Sequence, residues 1–519
     1  MATENIEIND QFKKALNLLD NTGKHIFITG RAGTGKSTLL EYFRNHTNKK
    51  VAVLAPTGVA ALNVSGQTIH SFCRFKPDVT LQKVRKIAGP DGELFKEIDT
   101  IVIDEISMVR ADLLDCVDKF LRLNGKSRME PFGDMQMVFI GDLYQLPPVV
   151  TGKEKEIFRS QYKSQYFFDA NVFDAFDMEF IELEKVYRQK DEKFIDILNS
   201  IRNKSISNKE LMEINKRLNP SFEPNPDDFY INLTTTNDLS DAINSNQLSK
   251  IKFKMYTFTG KIKGNFDKSY LPTEVELKVK VGSQIMLLNN DAGRRWVNGT
   301  AGKIIAVEED EKGGHKIIVD RSGGGEVTVT PFTWKLSSLF YNKETASLDS
   351  ETIGSFTQYP IRLAWSVTIH KGQGKTFDKV IIDIGKGTFT HGQVYVALSR
   401  CTSLDGIVLR KPIEKKHIWM DWRVVNFLTK YQYQLSERKL SLAEKIKIIE
   451  KAIQSKSKLY IVYLRSNDEK SRRTIVPSFV GKMEYQGKSY MGVEGYCFTR
   501  QDDRVFRVDR ILEMNVVEE

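Results

Sequence analysis

Cysteine and histidine, the residue types that build metal centres and disulfide frameworks, are scarce in this sequence. Its 519 residues include four cysteines and seven histidines. The cysteines, Cys73, Cys116, Cys401 and Cys497, are widely scattered, and none stands in a C-x-x-C pair or beside clustered histidines. This spacing argues against a zinc site and against a disulfide framework. We expect the cysteines to be small core residues in a reducing compartment.

Long apolar runs are missing too. None approaches the roughly 18 residues that a membrane-spanning helix needs. The first residues, M-A-T-E-N-I-E-I-N-D, are polar and acidic, unlike a secretory signal or a transit peptide. The sequence therefore predicts a soluble protein of the cytoplasm with no membrane partner.

The chain does contain enough apolar residues for several cores, at 40% of the sequence, and it has an excess of positive charge, +10 at pH 7. The apolar content excludes global disorder. The charge suits a polyanionic partner such as nucleic acid without proving one, because many soluble proteins are equally basic. A chain of 519 residues is expected to hold three or more domains.

Two stretches of the chain alternate short apolar runs with helical patterns. Such alternation indicates parallel sheets with helices on both faces, so the predicted fold class is α/β. The strand candidates are 25–29, 51–55, 101–103 and 136–140 in the first stretch, and 231–235 and 379–384 in the second.

Short strands and glycine turns interrupt the second stretch and predict an inserted small β-barrel. After residue 435, apolar residues repeat at helical spacing before a final β-rich segment. The predicted domains are 1–185, with an insertion at about 72–95; 186–435, with the β-barrel at about 255–350; a linker helix at 436–455; and a β-rich unit at 456–519.

A phosphate-binding loop is predicted near the N-terminus, where Gly30 to Ser37 reads G-R-A-G-T-G-K-S. It fits the pattern G-x-x-x-x-G-K-[ST] and stands between a predicted strand and a predicted helix. We expect Lys36 to reach the outer phosphates and Ser37 to hold Mg²⁺. The predicted ATP cradle comprises Gly30, Ala32, Gly33, Thr34, Gly35, Lys36, Ser37 and Thr38.

Two further motifs follow buried strands. I-V-I-D-E ends in Asp104 and Glu105, and we expect Asp104 to hold Mg²⁺ and Glu105 to polarise the attacking water. In G-D-L-Y-Q-L-P-P at 141–148, Gln145 is the candidate γ-phosphate sensor, supported by Asp142. Taken alone, either motif also occurs as an ordinary strand end or proline turn.

Phosphoryl transfer needs cations that neutralise charge developing on the γ-phosphate. Arg188, in E-K-V-Y-R-Q, and Arg400, in A-L-S-R, are the candidate arginine fingers. Taken singly, an arginine is more often part of a surface ion pair. Together the motifs predict a motor in which two domains share one ATP.

In order along the chain, these motifs resemble the Pif-type (petite integration frequency) DNA helicases of superfamily one, whose relatives include RecD-like motors. The resemblance covers roughly residues 5–430. One departure is Gly372, where a serine-like residue is expected. The matching motifs are N-D-Q-F around Gln11, the phosphate loop, A-P-T-G-V-A-A at 55–61, T-I-H-S-F at 68–72, D-E-I-S-M-V at 104–109, G-D-L-Y-Q-L-P-P, Y-R-Q at 187–189, T-N-D-L-S-D-A-I-N at 236–244, H-K-G-Q-G-K-T at 370–376 and V-A-L-S-R at 396–400.

The resemblance implies two RecA-like domains and an ATP-dependent, 5′→3′ DNA helicase of genome maintenance, including repair, recombination and telomere maintenance. Gln11 would recognise adenine. Gln373 and Gly374 would face the nucleotide, with Gln373 coupling it to the DNA-binding surface. The implied setting is the bacterial nucleoid, and the implied cofactors are ATP and Mg²⁺.

By the same resemblance, the partner is single-stranded DNA and its junctions with duplex. The segment 252–264, which interleaves lysines and aromatics, is a second candidate for DNA contact, or else an ordinary barrel strand. A duplex-splitting wedge is expected within 72–95. The residues implied to line the strand path are Thr57, Gly58, Thr68, His70, Thr235, Asn237, His370 and Lys371.

The last segment resembles a WYL domain, an appendage found mainly in bacterial proteins. The resemblance rests on I-V-Y at 461–463, R-T-I-V-P at 473–477, K-S-Y-M-G at 488–492 and R-V-F-R-V-D-R-I at 504–511, although Ser489-Tyr490-Met491 replaces the name-giving triplet. The alternative is a plain amphipathic edge strand. The candidate ligand groove comprises Arg473, Tyr490, Arg500, Arg504 and Arg507.

Two other functions remain open at this point: an ATP-gated DNA-binding regulator with little unwinding, and an RNA-directed helicase. Preference for a 2′-hydroxyl cannot be read from these motifs. We expect a monomer in solution, with dimerisation on DNA left open.

Overall fold

The computed structural model describes residues 8–150, 158, 160–267, 270–309, 313–342, 344–345, 347–385, 387–388 and 390–517. The first seven residues, on which the prediction of no signal peptide rests, lie outside this set. The chain divides into two compact units. The first comprises Met1–Asn199 and Ser207–Trp419, and the second comprises Ser200–Ile206 and Met420–Glu519.

The N-terminal part of the first unit is a six-stranded parallel sheet with the order β3-β2-β4-β5-β1-β6. The strand candidates of the first stretch are confirmed to within a residue at each end. The strands are β1 His25–Gly30, β2 Val51–Ala55, β3 Gln67–Thr68, β4 Thr100–Ile103, β5 Gln136–Ile140 and β6 Met178–Leu183.

Helices flank this sheet, and the buried faces of the first two pack with the central strands into one apolar core. Asn9 caps the first helix, because its side chain accepts a hydrogen bond from the Phe12 N–H. The helices are α1 Asp10–Asn21, α2 Lys36–His46, α3 Gly58–Asn63, α4 Ile69–Phe72, α5 Leu94–Glu97 and α6 Ala111–Asn124.

A second parallel sheet, of four strands in the order β18-β7-β19-β20, forms the other α/β part of the first unit. Both predicted strands of this stretch are confirmed. The strands are β7 Ile231–Thr234, β18 Ser366–Thr368, β19 Val380–Asp383 and β20 Ile407–Leu409; the helices are α7 Glu192–Arg202, α8 Asn208–Asn215, α9 Asn237–Lys250 and α10 Gln393–Ser399. The last three residues of α7 are counted with the second unit.

The β-rich insertion into this second part consists of antiparallel strands around its own apolar core. Its strands form sheets of two, five and three strands, ordered β10-β8, β14-β13-β12-β11-β17 and β15-β16-β9. They are β8 Met255–Thr259, β9 Lys261–Gly264, β10 Glu276–Lys280, β11 Gln284–Leu287, β12 Ala301–Glu309, β13 His315–Arg321, β14 Glu326–Val329, β15 Phe332–Asn342, β16 Ser347–Gln358 and β17 Ile361–Leu363.

The second unit places a helix against a five-stranded antiparallel sheet of the order β24-β23-β22-β21-β25. Ser441 and Glu444 form a capping box at the start of its second helix. The elements are α11 Trp422–Lys439, α12 Leu442–Ser455, β21 Lys458–Leu464, β22 Lys470–Tyr485, β23 Lys488–Cys497, β24 Asp502–Arg507 and β25 Ile511–Val517.

The predicted fold class is confirmed, and all four cysteines are buried, as expected for small core residues. Among the described residues, no helix is both long enough and apolar enough to cross a bilayer.

Candidate ATP site and nucleic-acid interface

The phosphate loop connects β1 to α2 and depends on glycine at two points. Gly33 and Gly35 have φ angles of 80° and 85°, which favour glycine. Gly33 also allows a close approach, because a Cβ there would lie 2.5 Å from the Cβ of Arg188. The Tyr187 N–H donates to the Gly33 carbonyl at 2.8 Å. The 187–188 segment therefore packs directly on the loop.

Lys36 opens α2, and its side chain folds back into the curve of the loop. Its Nζ donates to the Gly30 carbonyl at 2.7 Å and to the Arg31 carbonyl at 3.0 Å. Ser37 and Thr38 follow in the first turn of the helix and are exposed. Backbone N–H groups and a positive helix end thus meet at the position expected for phosphates.

Two carboxylates follow β4. Asp104 is buried, and burial, helped by the neighbouring charge of Glu105, raises the pKa of Asp104 to about 7. Burial also raises the pKa of Glu105, while the charges of Lys36 and Arg400 oppose that rise. Glu105 has a φ of 50°, a strained conformation for a non-glycine residue that is common at functional sites.

These residues fit a divalent cation. Two adjacent, poorly solvated carboxylates repel each other, and a bound cation offsets that repulsion. A carboxylate oxygen and a hydroxyl are ligands of the type that Mg²⁺ accepts alongside phosphate oxygens. Asp104 and Ser37 are the residues that would hold it.

The second α/β part reaches this site through Gln373. The Gln373 Nε2 donates to Glu105 Oε2 at 3.2 Å and to Gln145 Oε1 at 3.4 Å. Gln145 is 6% exposed, and its Nε2 donates to Asp142 Oδ2 at 3.4 Å. Residues of both α/β parts, about 230 positions apart in sequence, therefore meet beside the phosphate loop.

The candidate arginine fingers lie in the same region. Arg188 Nη1 donates to the Ser399 carbonyl at 3.1 Å. Arg400 is 1% exposed and donates to Val396 O, Lys375 O and Ser399 Oγ, all uncharged oxygens. Burial, helped by the positive charge of Arg188, lowers the pKa of Arg400 to about 9. The surface ion-pair alternative is therefore wrong for Arg400.

Gln11, the residue expected to recognise adenine, lies in α1. Its Oε1 accepts a hydrogen bond from the Glu184 N–H at 2.9 Å. The next residue, Phe12, packs against Gly35, so α1 lies beside the phosphate loop. Gly374 is exposed and has a φ of 78°.

Sequence reasoning gave no role to three residues that hold α10 and the segments next to it in place. The Ala32 N–H donates to the Tyr395 hydroxyl at 3.0 Å. His391 contacts the Tyr166 hydroxyl through Nδ1 at 3.2 Å and the Leu143 carbonyl through Nε2 at 3.3 Å. Gln189 donates to the carbonyls of Ser399 and Cys401 at 3.1 and 2.9 Å. Gln189 directly follows Arg188, and Tyr395 lies five residues before Arg400; this closeness to the predicted arginines was the signal that could have found them.

In the first α/β part, the predicted DNA-contact residues lie at the carboxyl ends of β2 and β3. Thr57 is exposed and caps α3, and Thr68 caps α4. Tyr270, from the inserted β region, covers this surface. Its hydroxyl makes a short hydrogen bond with Thr68 Oγ1, and its ring lies where a Gly58 side chain would be. Thr68 and Gly58 are therefore buried, whereas His70 is half-buried.

In the second α/β part, the predicted contact residues lie at the carboxyl ends of the paired strands β7 and β18. Thr235 and Asn237 follow β7, and Asn237 begins α9. His370 and Lys371 follow β18, and burial lowers the pKa of both. The positive charge of Arg362 contributes to the lowered pKa of Lys371, so β17 adds a cation that sequence reasoning missed.

The lysine-rich segment 252–264 forms β8 and β9. Tyr256 and Phe258 are half-buried and pack against the core of the insertion, as the barrel-strand alternative predicts. Phe253, in contrast, is 64% exposed.

Acidic residues pair with two of the arginines proposed for a ligand groove in the second unit. Arg504 contacts Asp502 at 3.0 Å, and Arg507 contacts Asp509 at 2.6 Å. The Arg507 guanidinium also lies over the Tyr490 ring, 5.3 Å from its centroid. Arg473 is half-buried, and the positive charges of Arg465 and Arg500 help lower its pKa, after burial itself.

Comparison with known proteins agrees with this geometry. The PIF1-like helicase family model matches residues 5–211, and the WYL domain model matches residues 444–516. ATP-dependent DNA helicase Pif1 of Bdellovibrio bacteriovorus is 28% identical over 444 residues, covering 83% of this chain and 94% of that protein.

Solved structures of Bacteroides sp Pif1 extend the comparison. The complex with ADP-AlF4 is 35% identical and covers 83% of this chain and 98% of that chain, with a TM-score of 0.77. The complex of the same protein with single-stranded DNA is 35% identical and covers the same shares, with a TM-score of 0.61. The predicted resemblance is confirmed. This chain belongs to the PIF1-like helicase family of ATP-dependent DNA helicases, and it carries a C-terminal WYL domain.

Proposed function

We propose that this chain uses ATP and Mg²⁺ to move 5′→3′ along single-stranded DNA and to separate the duplex ahead of it. The main support is the position of Gln373, which bonds to both Glu105 and Gln145 across the two α/β parts. A nucleotide bound between these parts would draw them together, and its hydrolysis would release them.

In this proposal each residue of the ATP site has a separate task. Lys36 and the loop N–H groups bind the phosphates, and Gln11 reads the adenine. Glu105 orients the attacking water and accepts its proton, and Gln145 contacts the γ-phosphate. Arg188 and Arg400 neutralise the charge that develops as the bond to the leaving ADP oxygen breaks. Bound Mg²⁺, on Ser37 and Asp104, would supply further positive charge at the same oxygens.

The DNA strand is proposed to run over the carboxyl ends of β2, β3, β7 and β18. Short polar side chains and Lys371 there can bind phosphates without reading base identity. For a DNA strand to contact Gly58 and Thr68, Tyr270 would have to move, because it covers both residues. We further propose that this chain acts on strand junctions at the bacterial nucleoid, with 1–185 and 186–435 as the two RecA-like domains.

Two measurements test the proposal. The first is ATP turnover with and without a single-stranded oligonucleotide, and the second is unwinding of duplexes that carry a 5′ or a 3′ tail. We expect single strands to raise turnover and the 5′ tail to be preferred. Lys36→Ala should lower turnover by roughly 10²–10³-fold, because the lysine charge at the outer phosphates is lost, while the melting temperature stays within a few degrees.

Failure of single-stranded DNA to stimulate turnover would contradict the proposal, as would preference for a 3′ tail. Tight DNA binding with little turnover would instead favour the ATP-gated regulator. Stronger stimulation by a matched RNA strand would favour an RNA-directed helicase.

A further inference from the structure

Helix α10 is the element that carries Arg400, and both of its ends are held, one by the 187–189 segment that packs on the phosphate loop and the other by the loop that carries Gln145. At the C-terminal end, Arg188 and Gln189 donate to the Ser399 carbonyl at 3.1 Å each. At the N-terminal end, the segment before α10 packs on the loop 141–148, which carries Gln145. A Cβ on Gly392 would lie 2.5 Å from the Gln145 carbonyl oxygen. Because Arg400 directly follows the last residue of α10, the position of α10 determines the position of Arg400.

Between these ends, Tyr395 joins α10 to the phosphate loop itself. Its hydroxyl accepts a hydrogen bond from the Ala32 N–H at 3.0 Å, and its side chain is 3% exposed. Ala32 is the third residue of the loop, whose N–H groups ring the phosphates in this type of site. The hydroxyl oxygen therefore lies beside the phosphate cradle, within a few ångströms of its backbone.

The same hydroxyl lies near both candidate fingers. Burial lowers the pKa of both Arg188 and Arg400, and the electrostatic effect of Tyr395 opposes that lowering at each of them. Arg400 takes no carboxylate partner within the described part of the chain, and its three hydrogen bonds stay on α10 and on the Lys375 carbonyl. The hydrogen bonds of the Arg400 side chain therefore do not determine its distance from the phosphate loop.

We infer that Tyr395 is a positioning residue of the ATPase, whose hydroxyl sets the distance between the phosphate loop and the arginine carried by α10. This inference rests on the proposed hydrolysis of ATP at this site. Ground-state binding of ADP uses the loop and Lys36, so it does not need the hydroxyl. The transition state does need it, because the arginine must then meet the charge that develops on the γ-phosphate.

The test compares Tyr395→Phe with Tyr359→Phe. Tyr359 is a matched control, because it is 5% exposed, its hydroxyl donates to the His315 carbonyl at 2.6 Å, and it lies in the inserted β region. Each variant loses one buried tyrosine hydroxyl and keeps the ring. The measurements are kcat and KM for ATP with single-stranded DNA, and the affinities for ADP and for ADP with aluminium fluoride.

For Tyr395→Phe we expect kcat to fall by about tenfold and the affinity for ADP with aluminium fluoride to fall similarly, since one hydrogen bond has about that value. KM for ATP and the affinity for ADP should stay within threefold. Tyr359→Phe should match the wild type in every measurement. An equal loss in both variants would show a stability effect and overturn the inference, as would a wild-type kcat and unchanged aluminium fluoride binding in Tyr395→Phe.

The two proposals fail in different ways. Absence of DNA-stimulated turnover in the wild type contradicts the helicase proposal. In that case the affinity for ADP with aluminium fluoride still tests the role of Tyr395, because this measurement needs neither DNA nor turnover.

Discussion

At the scale of single residues, Arg400 carries a positive charge that forms no ion pair with a carboxylate of the described residues, although the charges of Glu105 and Asp142 partly oppose the lowering of its pKa. It is 1% exposed, and a second guanidinium, that of Arg188, adds repulsion. Burying a charge that has no ion-pair partner destabilises a fold, so this arrangement lowers the stability of the folded protein. An anionic ligand that enters the site is the natural counter-charge.

Replacing Arg400 with methionine should therefore separate activity from stability. We expect Arg400→Met to lower kcat for ATP by about 10³-fold, the lower end of the range for an arginine finger. The melting temperature should not fall, because a buried guanidinium without an ion-pair partner among the described residues is removed and the volume is roughly kept. Steady-state kinetics and thermal unfolding check the two halves of this prediction. A variant with both lower stability and full turnover would contradict it.

At the scale of elements, a chain of hydrogen bonds runs from Arg400 to α3. The Lys375 carbonyl accepts from Arg400 Nη1 at 3.3 Å, and Lys375 Nζ donates to Asn298 Oδ1 at 2.8 Å. Asn298 Nδ2 then donates to Asn63 Oδ1 at 3.1 Å. Asn63 ends α3, and Thr57 and Gly58 at the other end of α3 are proposed DNA contacts. The inserted β region thus bridges the two α/β parts.

We expect Asn298→Ala to weaken the coupling between DNA and ATP without removing either site. The ratio of DNA-stimulated to basal turnover should fall by about three- to tenfold, the size of a typical coupling energy of 1 kcal/mol or slightly more. Basal turnover should stay within twofold, because Asn298 contacts none of the proposed catalytic groups. Asn290→Ala is a suitable control, because the Asn290 side chain accepts a hydrogen bond from the Asn298 backbone N–H but is not part of the series of hydrogen bonds from Arg400 to α3. An unchanged ratio would show that coupling takes another route.

At the scale of the whole molecule, the net charge is +10, but the basic side chains differ in how freely they can bind DNA phosphates. In the second unit, Asp502 and Asp509 pair with Arg504 and Arg507. In the first unit, Lys371 is exposed, and Arg362 adds positive charge near it. Phosphate binding is therefore expected to depend more on the cations near β18 than on those paired arginines.

The salt dependence of DNA affinity tests this expectation. Lys371→Ala should reduce the slope of log affinity against log salt by about one, because one phosphate contact releases about one counterion. Arg504→Ala, which removes a charge already paired with Asp502, should leave the slope unchanged. Titration of a fluorescent single strand from low to moderate salt measures both. Equal slopes for wild type and Lys371→Ala would exclude a phosphate contact by Lys371.

The phosphate loop, the D-E pair and both strand sets could be predicted because each depends on residues near each other in sequence. Glycines at 33 and 35 permit positive φ angles, and apolar runs at 25–29 and 136–140 mark buried strands, whatever the rest of the chain does. Tyr395 and Asn298 could not be found in this way. Their partners, Ala32 and Asn63, are 363 and 235 positions away.

The cover that Tyr270 forms over Thr68 also depends on the tertiary fold. Its partner is 202 positions away, and nothing in F-D-K-S-Y marks the tyrosine for that contact. Sequence reasoning expected Gly58 and Thr68 to be open to a DNA strand, because their motif resembles one that lines the strand path.

By itself, the sequence determined that this protein has a phosphate loop, two parallel-sheet parts, an inserted β region and the family to which they belong. Those features follow from local backbone preferences, the periodicity of apolar residues and the spacing of motifs. Only the tertiary structure decided that Gln373 meets Glu105 and Gln145, that Arg400 is buried with its side-chain hydrogen bonds on uncharged oxygens, and that α10 is tied to the phosphate loop. These contacts join distant segments, and their existence depends on how sheets and helices pack, which no local pattern records.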